Sequence, residues 1–235
     1  MKVFNVYILF AVLIAAVIVP AQRIYSQARK MYEIRPTSEI KLQGKSNINS
    51  FTFRSESVDG RGCIDTTSAA IDSLREPIED AVNGFFRVDV KSFKSGNSQM
   101  NQDMYQALKS KQHPTIEFNL ESVEFIQYLD STRALFTAFG YLRVAGIENL
   151  ISLDVKVTRT GEERYHLQGD KQILMSDYNI APPQAWFGLI QARDKLTVEF
   201  DLVVGLQSEA IAFKLPCDKS PAHLPESLDQ YINMF

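Results

Sequence analysis

The strongest constraint in this chain is an alternation of apolar and polar side chains with a period of two, recurring in separate runs between residues 38 and 206. Successive side chains of a strand point to opposite faces, so each such run buries one face and wets the other. A helix would need apolar residues three and four apart. "EIKLQG" places Ile40 and Leu42 on one face, and "FRVDVKSF" sets Val88 and Val90 against Arg87, Asp89 and Lys91. In "TIEFNLESV", Ile116, Phe118 and Leu120 face inward while Glu117 and Asn119 face water. "ISLDVKVTR" alternates Ile151, Leu153, Val155 and Val157 with polar partners, and "LTVEFDLVV" does so with Leu196, Val198, Phe200 and Leu202. With "INSFTFRSE", "RALFTAFGYLRV" and "RYHLQGDKQILM" the runs number about eight, separated by turn-prone Gly, Asp and Asn. Eight half-buried antiparallel strands leave unpaired edges unless the sheet closes, so the expected fold is all-β, a closed up-and-down barrel with one or two short helices.

Two segments break the rhythm. "SGNSQMNQDMYQALKSKQHP" spaces Met100, Met104 and Leu108 four apart, with Ser98 as cap and Pro114 as stop, and predicts an amphipathic helix of about three turns. "TTSAAIDSLREPIEDAVNG" has helical spacing at Ile71, Leu74, Ile78 and Val82, but Pro77 interrupts it, and a short helix and an irregular insertion both fit. Pro182 and Pro183 lack N–H donors and belong at a corner just before the last strand. Trp186 and Phe187 follow in a loop. For Trp186 two readings stay open: it lies across a barrel end, or it fills the bottom of the core.

The first 28 residues have the layout of a secretory signal: Lys2, an apolar run from Val3 to Val19 broken only by Asn5, then Ser26 and Ala28 flanking a cleavage site, with Ala21 an earlier alternative. An uncleaved anchor is the rival, although a span wants about 20 apolar residues. The whole chain carries 25 basic and 28 acidic residues; without Lys2 and Arg23 it would carry 23 against 28, a net charge of −5. No cationic surplus points to nucleic acid. The expected location is the periplasm, with secretion or membrane anchorage second. In an oxidising compartment, Cys63 and Cys217 read as one disulfide, since neither belongs to a CxxC or lies at metal-ligand spacing from a histidine. It would close a loop of about 155 residues, worth ~5 kcal/mol of chain entropy, and pin the Pro- and Ser-rich extension 207–235.

Three blocks carry a resemblance: "VKSFKSGNSQMNQDMYQALKSKQHPTIEFNLESV", "GYLRVAGIENLISLDVKV" and "YHLQGDKQILMSDYNIAPPQAWFGLIQARDKLTVEFDLVV". Within them "SGN" followed by "MNQDMYQALK" and "HPTIEF", and "MSDYNIAPP" with Gly188 and a closing "VEFDL", resemble the YceI-like family of exported lipid and polyisoprenoid binders. The resemblance spans most of residues 38–206 and implies a lipocalin-like barrel with a long apolar cavity for a polyisoprenoid, an isoprenoid quinone or a fatty amphiphile. The segment 66–84 is longer than the usual connection in that family, and the tail has no counterpart.

No catalytic residues, metal ligands or cofactor are expected. There is no GxSxG, HExxH or P-loop. His113 lies at a helix end, His166 on the polar face of a strand and His223 in the tail, each reading as structural or solvated. Glu162 and Glu163 read as a solvated hairpin turn. Alternation nominates Phe118, Phe136, Leu153, Val155, Leu167, Ile173, Val198 and Phe200 as inward residues; Met100, Met104 and Tyr105 are the candidate lid, and Trp186 completes the set. Ordinary packing explains any one of them. The resemblance favours a cavity and hence a non-enzymatic carrier or store; the alternative is a filled barrel acting as a protein-interaction module through 66–84 or the tail.

Overall fold

The computed structural model describes residues 29–65, 82–185 and 189–207. Among these, eleven strand segments form one sheet: β1 (Arg29–Ile34), β2 (Glu39–Ser46), β3 (Ser50–Ser55), β4 (Val58–Asp65), β5 (Val82–Asp89), β6 (Thr115–Tyr128), β7 (Arg133–Val144), β8 (Ile147–Gly161), β9 (Arg164–Leu174), β10 (Gln184–Ala185) and β11 (Ile190–Leu206). Helix α1 (Ser98–Ala107) lies between β5 and β6.

Two long strands are broken in the middle, and the two-residue β10 pairs only with β11 beside the ring, which leaves eight staves. β1 and β2 are one stave interrupted at Pro36, which has no N–H to give the ladder. Both halves still pair with β11, β1 through Ile34↔Val204 and β2 through Phe200↔Ile40. The break is stitched: the Ser38 hydroxyl, almost fully buried, accepts from the Val203 N–H at 3.0 Å, and the Arg35 N–H donates to the Val203 carbonyl at 2.7 Å. β3 and β4 form the second stave, interrupted at Glu56–Ser57 and paired with the first. From there each stave pairs with the next in sequence, β4·β5, β5·β6, β6·β7, β7·β8, β8·β9 and β9·β11, and β11 returns to the first. The result is a closed eight-stranded antiparallel up-and-down barrel, as the alternation predicts, and lipocalin-like, as the resemblance implies. Its first strand starts at Arg29, ahead of the expected boundary at residue 38.

Strand directions give the barrel two ends. The upper end carries the β2–β3 hairpin, the α1 segment, the β7–β8 turn and the segment between β9 and β11. The lower end carries the β6–β7 and β8–β9 turns, the start of β1 and the end of β11. The β7–β8 turn is Ala145–Gly146 with φ of 50° and 85°, the two positive values a tight hairpin of this hand needs. The ring of His113 covers Gly146: a Cβ there would lie 2.6 Å from it. His113 is thus a packing residue of the upper end.

The cap of α1 lies one residue before the predicted one. The Asn97 side chain, not that of Ser98, accepts the Met100 N–H at 3.1 Å, because the cap residue sits in extended geometry just outside the first turn. Pro114 is not its stop. The helix ends at Ala107, and Lys109 with φ 52° turns the chain away. The predicted helical segment within 66–84 falls mostly outside the described residues, as do residues 1–28 and the tail beyond Gln207.

Candidate lipid-binding cavity

In the upper half of the barrel the inward-facing side chains line the interior without filling it. There they surround a cavity of about 370 Å³. That is within the usual range of ligand cavities, about 300–1,000 Å³, and far beyond the space one water needs. The wall is hydrocarbon: Ile40 and Leu42 from β2, Phe51 and Phe53 from β3, Phe86 and Val88 from β5, Ile116 and Phe118 from β6, Ile151 and Leu153 from β8, Leu196, Val198 and Phe200 from β11. Met100, Met104 and Ala107 of α1 and Leu108 just after it cover it from above, and Tyr178, Ile180 and Pro183 close one side of the rim. Polar side chains gather at that rim, namely Ser46, Asn49, Asn97, Gln99, Asp103 and Gln184. Asp103 accepts a 2.8 Å hydrogen bond from Gln99. Burial pushes the Tyr178 phenol above its usual 10.

Phenylalanine placement shows how space stays open on the axis. A Cβ added at Gly44 would meet the Phe51 ring at 2.3 Å, at Gly140 the Phe118 ring at 2.6 Å, and at Gly169 the Phe200 ring at 2.5 Å. Each ring lies over a glycine on the adjacent strand, occupying the volume where a side chain would begin, so it lies along the wall instead of projecting to the centre. Phe86 and Phe118 stack at 5.2 Å between centroids. Beyond them Leu120, Val123, Val155 and Leu167 pack into the lower core.

The structure sorts the nominated residues. Phe118, Leu153, Ile173, Val198, Phe200, Met100 and Met104 stand on the cavity wall. Phe136, Val155 and Leu167 do not: they face inward but lower down, where Phe136 meets Phe125 edge-on at 5.5 Å and Leu167 lies opposite Leu202. Alternation reports which face a side chain takes and is blind to its height. Tyr105 is also displaced from the lid. It stands one position past Met104 and so points off the Met100–Met104 face; its hydroxyl reaches the Phe93 carbonyl at 2.8 Å and receives Lys94 Nζ at 2.8 Å. Trp186 lies outside the described residues. Cys63 is disulfide-bonded, and Cys217 also lies outside them.

Several wall residues escaped the sequence reading, Phe51, Phe53, Phe86 and Tyr178 among them, and one of them is a cation. Lys171 lines the cavity, and its signal was present: Leu167 and Ile173 are inward, so Gly169 and Lys171 share their parity. A cation in that register is easily passed over.

Titratable groups elsewhere serve the fold. Glu163 is not the solvated turn residue expected. Bonds from Lys30 and then from Tyr32 hold its carboxyl below 4.5 and tie the β8–β9 turn to β1. His166 bonds the Asp201 carboxylate on the outer face, where Gln168 joins it at 3.0 Å. Among the described residues no three His, Cys, Asp or Glu side chains converge as a metal site, and no helix is long and apolar enough to cross a membrane.

A closed eight-stranded barrel with a hydrocarbon-walled chamber under a methionine-bearing helix defines a class, the lipocalin-like barrels. Residues 34–204 match the YceI-like domain, and the chain belongs to that family. Two solved structures share the fold. Burkholderia cenocepacia BcnA aligns at 17% identity over 72% of this chain and 98% of its own, with a TM-score of 0.56. A polyisoprenoid binding domain from Saccharophagus degradans, implicated in plant cell wall breakdown, aligns at 14% over 75% and 98%, also with a TM-score of 0.56. No curated protein matches the chain.

Proposed function

We propose that this protein binds a long apolar chain molecule, a polyisoprenoid, isoprenoid quinone or fatty amphiphile, inside the upper half of the barrel, and acts as a non-enzymatic carrier or store. One observation carries the reading: the chamber of about 370 Å³ has hydrocarbon walls, with polar groups gathered at its rim. Family membership and the binding role named for the Saccharophagus degradans domain support it. The energetics are favourable. Each methylene moved from water into the cavity contributes about 0.8 kcal/mol, so an isoprene unit of five carbons contributes roughly 4 kcal/mol and about one to four units offset an association cost of ~4–15 kcal/mol. An unfilled interior speaks against the alternative of a packed interaction barrel. Export to the periplasm is part of the proposal, supported by the layout of residues 1–28 and by the oxidised state of Cys63.

Mass spectrometry of lipids extracted from protein isolated from its native envelope tests the reading. A bound prenyl or acyl compound is expected, as is uptake of such a compound by delipidated protein. Ala107→Trp, placing an indole in the chamber from the end of α1, should suppress uptake while circular dichroism stays unchanged. Native protein that arrives empty and takes up neither a prenyl nor an acyl chain defeats the proposal.

A further inference from the structure

β8 and β9 pair only near the lower end, from Gly161↔Arg164 up to Lys156↔Gln168. Above that level β8 continues paired with β7, and β9 with β11, but no pairing joins β8 to β9 among the described residues. The wall therefore has a seam. It starts where Gly169 passes the Asp154 carbonyl, so close that a Cβ would lie 2.3 Å from that oxygen, and it is capped by the turn Met175–Tyr178, whose Asp177 carbonyl accepts from Asn149 at 2.8 Å.

Lys171 sits in this seam. Its parity starts the stem on the chamber side opposite Val198, and its Nζ passes into the seam to the hydroxyl of Ser152, a residue in the outward register of β8, at 3.5 Å. An ammonium has three donors and no acceptor, and 3.5 Å is the outer limit of a hydrogen bond. Among the described residues no carboxylate forms an ion pair with it, and Asp103, the other charged group on the wall, belongs to α1 at the rim. A cation on an otherwise hydrocarbon wall, held by one long hydrogen bond, is the natural partner of an anionic head group.

We infer that Lys171 is the head-group anchor of the cavity, and that the ligand is a long-chain carboxylate whose single negative charge meets the single ammonium at the β8–β9 seam while its hydrocarbon occupies the chamber. This rests on the binding role proposed above and narrows it. A neutral lipid would leave Nζ unpaired. A diphosphate would bring more charge than one lysine matches. The competing reading is that the ammonium extends through the seam to water and ignores the ligand.

Displacement of N-phenylnaphthylamine from the delipidated full chain at neutral pH, read by fluorescence, separates these. Palmitate should bind roughly 10-fold or more tightly than palmityl alcohol, the ratio expected of one charge-assisted bond. Lys171→Met should abolish that preference, and Lys171→Gln, which keeps the stem and a neutral donor, should abolish most of it. Lys171→Glu should turn the preference toward palmitylamine. Equal affinity of acid and alcohol in the native protein, or a palmitate preference surviving in K171M and K171Q, overturns the anchor while leaving the cavity reading intact. Failure of both palmitate and its alcohol to displace the probe from native protein overturns the cavity reading and the anchor with it.

Discussion

Gly169→Ala isolates the feature that keeps the chamber open. In an unobstructed strand, alanine is favoured over glycine by about 0.5–1 kcal/mol, because glycine loses more freedom on folding. Here the added Cβ would stand 2.3 Å from the Asp154 carbonyl oxygen and 2.5 Å from the Phe200 ring. One obstacle is backbone on the neighbouring strand and the other is a ring that is 8% exposed, so neither yields without cost. Overpacking of this kind costs about 1–3 kcal/mol, and with two obstacles the upper part of that range applies. For a domain of this size the melting temperature falls about 2–4 °C per kcal/mol, which gives a loss of roughly 5–10 °C. The assay is thermal denaturation followed by circular dichroism, with Gly161→Ala as control, since a Cβ there meets nothing nearer than 3.8 Å. Ligand uptake is the second readout, because the Phe200 ring borders the cavity and a shift away from position 169 would move it toward that space. Adding Phe200→Leu should recover part of the stability loss, leaving the share due to the Asp154 carbonyl. A G169A variant that melts with or above the native protein would refute the account of rings held flat against the wall by glycines.

Two further outcomes follow from the same geometry. Asn97→Ala removes the acceptor of the Met100 N–H and should destabilise the protein by about 0.5–2 kcal/mol in urea titration, with α1 losing hydrogen-exchange protection ahead of the barrel. Glu163→Gln tests the clasp on β1: because the carboxyl of Glu163 is held below its ordinary 4.5, its contribution is fully present above that pH and disappears as pH falls through the lowered value. Native protein should therefore be the more stable of the two at neutral pH, the gap closing in acid, and a gap independent of pH would remove the clasp.

Much of this molecule is written in its local sequence. The period of two determined which residues form strands and which face each side chain takes, because side chains alternate about an extended backbone whatever surrounds it. The closed barrel follows, since eight half-buried strands joined by short turns have few other ways to remove their edges. The spacing of Met100 and Met104 placed both on one helix face for a similarly local reason. The same spacing could have excluded Tyr105.

Only the tertiary structure decided height and closure. Phe136, Val155 and Leu167 share the parity of Phe118, Leu153 and Phe200, yet stand below the cavity wall, because position along the barrel axis depends on register and stagger between strands. The open chamber itself arises from pairs on neighbouring strands, Phe51 over Gly44 across one hairpin, and Phe118 over Gly140 and Phe200 over Gly169 from more distant parts of the chain. The seam that receives Lys171 comes from a ladder that stops at Lys156 and Gln168. Pairing between strands is a property of the assembled sheet, so what a strand's own pattern leaves unstated is where its neighbour lets go.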